Sequence, residues 1–111
     1  MKLPKDSLIA SEKLTKYLLV KRPVGDKSEF LKQAGYTLDN WHKLAQDIRE
    51  QILPKDAVLM ERTAYGELFE IRGTIVGPNG AVLALRTVWM REAATGATKF
   101  ITLYPDKESR A

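Results

Sequence analysis

TLDNWHKLAQDIREQILPKDAVLMERT, residues 37 to 63, changes its hydrophobic period half-way. Before Pro54 the apolar residues Leu38, Trp41, Leu44, Ala45, Ile48 and Ile52 recur at three and four, which is the period of one helix face. Thr37 stands where an N-cap acceptor belongs, and Pro54 ends the helix because it has no N–H and its ring clashes with the preceding turn. After Pro54 the period falls to two. AVLMERT opens a series continued by ELFEIRGTIV, AVLALRTVWM and TKFITLY, four predicted strands rich in β-branched and aromatic residues and separated by AYG, GPNG and EAATGA. Pro78-Asn79-Gly80 is a turn signal, since Pro presets one torsion and Asn-Gly accepts positive φ.

Upstream of residue 37 the helical period continues in shorter pieces. Residues 1 to 10 read as an extended lead-in, with Leu8 and Ile9 under the first helix. Ser11 is placed as an N-cap before Leu14, Tyr17 and Leu18, spaced i, i+3, i+4 in a helix ending near Val20. The basic loop KRPVGD follows. DKSEFLKQAG then reads as a second helix, closed by Gly35 in a C-terminal cap position. Helices first and a strand meander afterwards predict an α+β fold, with about three N-terminal helices packed on one face of a four-stranded antiparallel sheet. The expected organisation is a single domain over 1–111, with a helical region over 1–54, a β-meander over 55–105 and a tail over 106–111.

Composition agrees with one core: 111 residues, 44% hydrophobic, are enough for one domain and too few for two ordinary ones. With no cysteine, disulfides and thiolate chemistry are excluded. No apolar run is long enough for a membrane span or a secretion signal, so a soluble cytoplasmic protein without a membrane partner is expected. A formal net charge of +4 favours acidic or polyanionic partners.

Alternation, taken without bulges, assigns the two sides of the sheet. Phe69, Ile71 and Ile75, then Leu83, Leu85, Thr87 and Trp89, then Ile101 and Leu103 fall toward the helices. Glu70, Arg72 and Thr74, then Val82, Ala84, Arg86 and Val88, then Phe100, Thr102 and Tyr104 fall on the open side, joined by Met60 and Arg62 if Leu59 is in the core. A solvated sheet face accounts for such residues with no function at all. Guanidiniums beside hydroxyls and an aromatic ring equally suit a phosphodiester, because Arg grips phosphate with paired donors and rings stack on bases.

The chain has no P-loop, GxGxxG, GxSxG or HExxH, and its single histidine, His42, lies off the apolar stripe of its helix, as a solvated residue would. Asp39, Asp47 and Glu50 fall on what reads as a solvated helix face, and Glu61, Glu67 and Glu70 are spread over strands. No metal site and no cofactor is therefore expected. Acid–base chemistry by Lys, Arg and Tyr remains. RNA can be cleaved through its own 2′-hydroxyl if one group takes that proton, cations hold the charge on phosphate and an acid protonates the leaving 5′-oxygen. Lys27 is one candidate, against the competing account of an ordinary lysine in a first helical turn.

The order EKLTKYLL, GDKSEFLKQAGYT, NWHKLAQDI, YGELFEIRGTIVGPNG, RTVW and ITLYP resembles a family of small bacterial domains of unknown function over nearly the whole length, TVW and T.YP being its most specific parts. The layout is similar to the Barnase/EndoU/RelE-like group of metal-independent toxin ribonucleases. By this resemblance Lys27 matches a lysine of a GK turn, Thr87 and Trp89 match TVW, and Thr102, Tyr104 and Pro105 match T.YP. One departure is the acidic Asp26 between Gly25 and Lys27. The resemblance implies a toxin-like endoribonuclease of a toxin–antitoxin or polymorphic-toxin system, with an acidic antitoxin or immunity protein as partner. Lys27, Tyr104 and Arg86 are its expected catalytic residues, and Arg72, Thr102 and Arg62 its expected substrate-binding residues. The alternatives are a non-catalytic protein-interaction domain, using the open face or the edge strand 57 to 63, and an RNA-binding domain without chemistry. Val82, Ala84, Val88 and Phe100 make the open face partly apolar, a composition that also suits a homodimer contact.

Overall fold

The structure, a computed structural model, describes residues 1–23 and 26–107. Within the expected basic loop, positions 24 and 25 lie outside the described residues, as do 108–111 of the expected tail.

The helical region is assembled from short pieces. Helix α1 (Ser11–Lys13) runs directly into a wide π-type turn, Leu14–Leu18, closed by the Leu19 N–H on the Leu14 carbonyl at 2.9 Å. Ala10, not Ser11, occupies the N-cap position, and no side chain caps this end. The wide turn keeps Leu14 and Leu18 in the core and sends Tyr17 outward, 51% exposed, although regular helical spacing groups all three. Helix α2 (Ser28–Lys32) ends as expected at Gly35, whose φ of 91° belongs to the left-handed region that closes many helices. Helix α3 (Trp41–Asp47) is preceded by a 3₁₀ turn, Leu38–Asn40, and followed by a second π-type turn, Ile48–Ile52. Thr37 caps this unit reciprocally with Asn40, donating its N–H to Asn40 Oδ1 at 2.8 Å. Leu44, Ile48 and Ile52 are fully buried, while Leu38 is exposed. Asp47 departs from its expected solvated position: it is buried, and accepts from Tyr36 Oη at 2.6 Å with Lys43 Nζ 3.1 Å away. A buried carboxylate requires such partners.

Strands β1 (Val58–Thr63), β2 (Gly66–Val76), β3 (Val82–Glu92) and β4 (Thr98–Pro105) form one antiparallel sheet in the order β1-β2-β3-β4. Phe69, Ile71, Ile75, Leu83, Leu85, Trp89 and Leu103 meet Leu14, Leu31, Leu44, Ile48 and Ile52 in a single core, as the alternation predicts for β2 and β3. Within it Thr87 Oγ1 donates to the Ile71 carbonyl at 3.1 Å and accepts from Trp89 Nε1 at 2.8 Å. The TVW motif is thus a buried polar relay set in apolar packing.

Two bulges break the alternation. In β4, Thr102 pairs with Val88 and Phe100 with Trp89, so Ile101 is an extra residue. An extra residue reverses the parity beyond it. Phe100, expected on the open side, is therefore buried in edge-to-face contact with Trp89, and Ile101, expected in the core, is half-buried. In β1, Leu59 pairs with Phe69 and Glu61 with Leu68, leaving Met60 as the extra residue. Arg62 then lies opposite Glu67, on the parity of Phe69, and leaves the open face to which regular alternation assigned it. Leu8 also differs from expectation. It is exposed, and adds one parallel bridge to the outer edge of β4, its N–H on the Thr98 carbonyl at 2.9 Å and its carbonyl receiving the Phe100 N–H at 2.7 Å.

The β2–β3 turn is seated on the end of α2. Asn79 donates its N–H to the Ala34 carbonyl at 3.3 Å and its Nδ2 to the Gln33 carbonyl at 3.1 Å, satisfying oxygens that a helix end leaves open.

Candidate functional site

Register converts the open face into rows. Glu70, Val88 and Thr102 are aligned across β2, β3 and β4, and Arg72, Arg86 and Tyr104 form the next row along the strands. Rows on one face of a sheet are spaced by two residues, about 6–7 Å, and neighbouring strands by about 4.8 Å. Every side chain expected at the site except Arg62 therefore gathers here or beside it, together with Glu70, which had no role assigned.

Lys27 enters from the flank. Its Nζ donates to Thr102 Oγ1 at 3.3 Å, joining residues 75 positions apart. The neighbouring Asp26 neither orients nor neutralises it through an ion pair. Its Oδ1 accepts from the Ser28 N–H at 2.8 Å and the Ser28 hydroxyl at 2.6 Å, and these bonds hold its carboxyl below the usual carboxylate range. Asp26 is a local brace for the start of α2.

The second row is an acid–base network. Tyr104 donates its hydroxyl to Glu70 Oε2 at 3.1 Å, and Arg86 Nη1 stands 3.6 Å from the same oxygen. Arg86 Nε also donates to Asp106 Oδ1 at 3.2 Å, and Arg72 donates Nε to Asp106 Oδ2 at 3.0 Å. Glu70 and Asp106 are both buried, so two carboxylates offset the two guanidiniums. Burial first, and then the Glu70 carboxylate, push the Tyr104 phenol above its ordinary pKa. Tyr104 thus keeps its proton at neutral pH and can act as a donor, not as a base. Arg62 belongs to neither row. It pairs with Glu67 at 3.0 Å on an exposed stretch of β1, which removes it from the site.

Beyond the Lys27 end of the first row lies a cleft of about 420 Å³ between α1 with its π-type turn and β4, lined by Lys13, Tyr17, Leu18, Arg22, Lys27, Ile101 and Thr102. Its polar lining is cationic or hydroxylic, with no carboxylate among the described residues. Arg22 lies over the Tyr17 ring at 5.0 Å. Lys13, Tyr17 and Arg22 carry no site signal in sequence, since each reads as an ordinary residue of a basic amphipathic stretch.

Helices on one side of an antiparallel meander, with a hydrogen-bonded polar constellation on the other, define the class: a small α+β domain with an open-faced candidate site. Within that class the chain belongs to the family described as Domain of unknown function (DUF6883), whose model matches residues 2–107. No curated protein and no solved structure matches it. Among the described residues no helix is long and apolar enough to cross a membrane.

Proposed function

We propose that this domain is a toxin-like, metal-independent endoribonuclease that cleaves RNA through the substrate's own 2′-hydroxyl. The observation that carries it is the contact of Glu70 with both Tyr104 and Arg86 in rows flanked by the Lys27–Thr102 pair. A base, a proton donor and cations then lie within reach of one phosphodiester. The 2′-oxygen attacks phosphorus as Glu70 takes its proton, and the bond from phosphorus to the 5′-oxygen breaks. The leaving oxygen takes the Tyr104 proton, leaving a 2′,3′-cyclic phosphate and a 5′-hydroxyl end. An alkoxide is a much stronger base than a phenolate, so this last transfer runs downhill. The Glu70–Tyr104 hydrogen bond returns the proton from Glu70 to Tyr104 and resets both groups. Arg86 and Lys27 hold the charge that builds on the phosphate oxygens.

The test is cleavage of RNA by the purified domain in EDTA, with product ends analysed. Cyclic phosphate products, lost in Glu70→Gln and Arg86→Ala, are expected, and a DNA strand of the same sequence should stay intact. Intact RNA under all metal conditions, or undiminished cleavage by both variants, overturns the proposal. The cations that line the cleft beside these rows also suit an acidic antitoxin or immunity partner.

One observation favours the second reading, a protein-interaction domain. Val58, Leu59 and Met60 are exposed on β1, whose outer edge is unpaired among the described residues. A stoichiometric complex in the absence of any cleavage would select it.

A further inference from the structure

The cleft between the first helical turn and β4 combines three features. It is concave, with a volume of about 420 Å³, inside the range of about 300–1,000 Å³ typical of small-ligand sites. Three cations, Lys13, Arg22 and Lys27, line it, and no carboxylate does so among the described residues; the neighbouring Asp26 is held by Ser28. It also presents a half-exposed aromatic ring, Tyr17, with the Arg22 guanidinium 5.0 Å from its centroid. Arginine and tyrosine planes are the surfaces on which unpaired bases stack. Its apolar lining is Leu18 and Ile101, the latter being the extra residue that the β4 bulge turns out of the core.

We propose that this cleft is a subsite for one unpaired nucleotide of a single-stranded RNA, next to the phosphodiester held over the Glu70–Tyr104 rows. This rests on the ribonuclease reading only for its position relative to the scissile bond. The base stacks on Tyr17 and Arg22 above Leu18 and Ile101, and Lys13 and Lys27 take the adjoining phosphates. A base paired within a duplex must first unpair and unstack to enter, so the subsite favours single strands. Lys27, bonded to Thr102, stands between the cleft and the rows and serves both.

The experiment measures binding of a short labelled oligoribonucleotide, single-stranded and as a duplex of the same sequence, in a Glu70→Gln background. Tyr17→Ala should weaken single-strand binding about 10-fold, as loss of one base stack would, and should leave the salt dependence unchanged. Tyr17→Trp should restore it. Lys13→Gln should lower the slope of log affinity against log salt by about one phosphate contact. Tyr17 is half exposed, so these variants keep their core. Equal affinity of Tyr17→Ala and its parent, or duplex binding as tight as single-strand binding, overturns the proposal. Tyr17-dependent binding without cleavage by the unsubstituted chain keeps the subsite and rejects the enzyme. Cleavage with Tyr17-independent binding does the reverse.

Discussion

Asp106 grips Arg72 from both prongs of the guanidinium, with Nε 3.0 Å from Oδ2 and Nη2 3.2 Å from Oδ1, while its side chain is only 4% exposed. The residue that follows β4 is thus bound into the open face, and through Arg86 it touches the candidate site. Removing one member of a buried ion pair typically destabilises by about 3–5 kcal/mol because the partner charge remains. Asp106→Ala should therefore lower stability by a few kcal/mol, at the low end of that range because Arg72 is itself half exposed. Thermal and urea melts check this, and an unchanged midpoint would remove Asp106 from the framework.

Tyr104→Phe separates two roles. The phenol is the proposed proton donor, so the variant should keep the fold and lose 100-fold or more in RNA cleavage, on the scale of about 10²–10⁴ for general acid–base groups. An RNA carrying a better leaving group at the 5′-oxygen needs no donor and should recover most of the loss. Equal loss on both substrates would assign Tyr104 to orienting Glu70 instead.

Thr87→Val tests the buried relay of the TVW motif. Valine fills the same space but leaves the Trp89 indole N–H without its acceptor at 2.8 Å. An unsatisfied buried donor costs about 1–3 kcal/mol, and that loss should appear in urea unfolding with activity per folded molecule unchanged.

Gly77→Ala probes the seat of the β2–β3 turn. A Cβ there would lie 2.1 Å from the Ala34 carbonyl oxygen, and backbone on both sides cannot move apart cheaply. Forced overpacking of this kind destabilises by about 1–3 kcal/mol. Gly80→Ala is the matched control: its Cβ would meet nothing within 4 Å, leaving only the strain of a φ of 88°.

Alkaline pH should weaken the fold through two tyrosines. Burial raises the phenol pKa of Tyr36, assisted by the Asp47 carboxylate that accepts its hydrogen bond, and Tyr104 is raised for the same kinds of reason. Each contribution is complete below the ordinary value of 10.0 and is lost as pH climbs from there toward the raised folded values, because the unfolded chain releases its proton first. Urea midpoints should fall above about pH 10, and less steeply in Tyr36→Phe. A midpoint flat to about pH 11.5 would contradict this.

The change of period at Pro54 made the architecture legible, and alternation correctly sorted β2 and β3 because neither contains an extra residue between its paired neighbours. It failed at Phe100 and Arg62 for a single physical reason. A bulge adds one residue without disturbing composition, so Met60 and Ile101 look like ordinary members of their strands. Alternation also placed Arg72, Arg86, Thr102 and Tyr104 on one face, but not their alignment in rows, which needs register. Asp106 was hidden by its position after Pro105, in what reads as a tail. Tyr17 was hidden by a π-type turn that no local pattern announces.

The extra residue in β4 makes spacing, rather than identity, the quantity that couples interior to exterior. Deleting Ile101 would leave every neighbour chemically intact. Phe100 and Thr102 would become adjacent opposite the adjacent Trp89 and Val88, so Thr98 and Phe100 would stay inward and Thr102 and Tyr104 outward without the bulge. A one-residue deletion scan should therefore find position 101 more tolerant than position 103, where the loss of one regularly paired residue would turn Tyr104 toward the core.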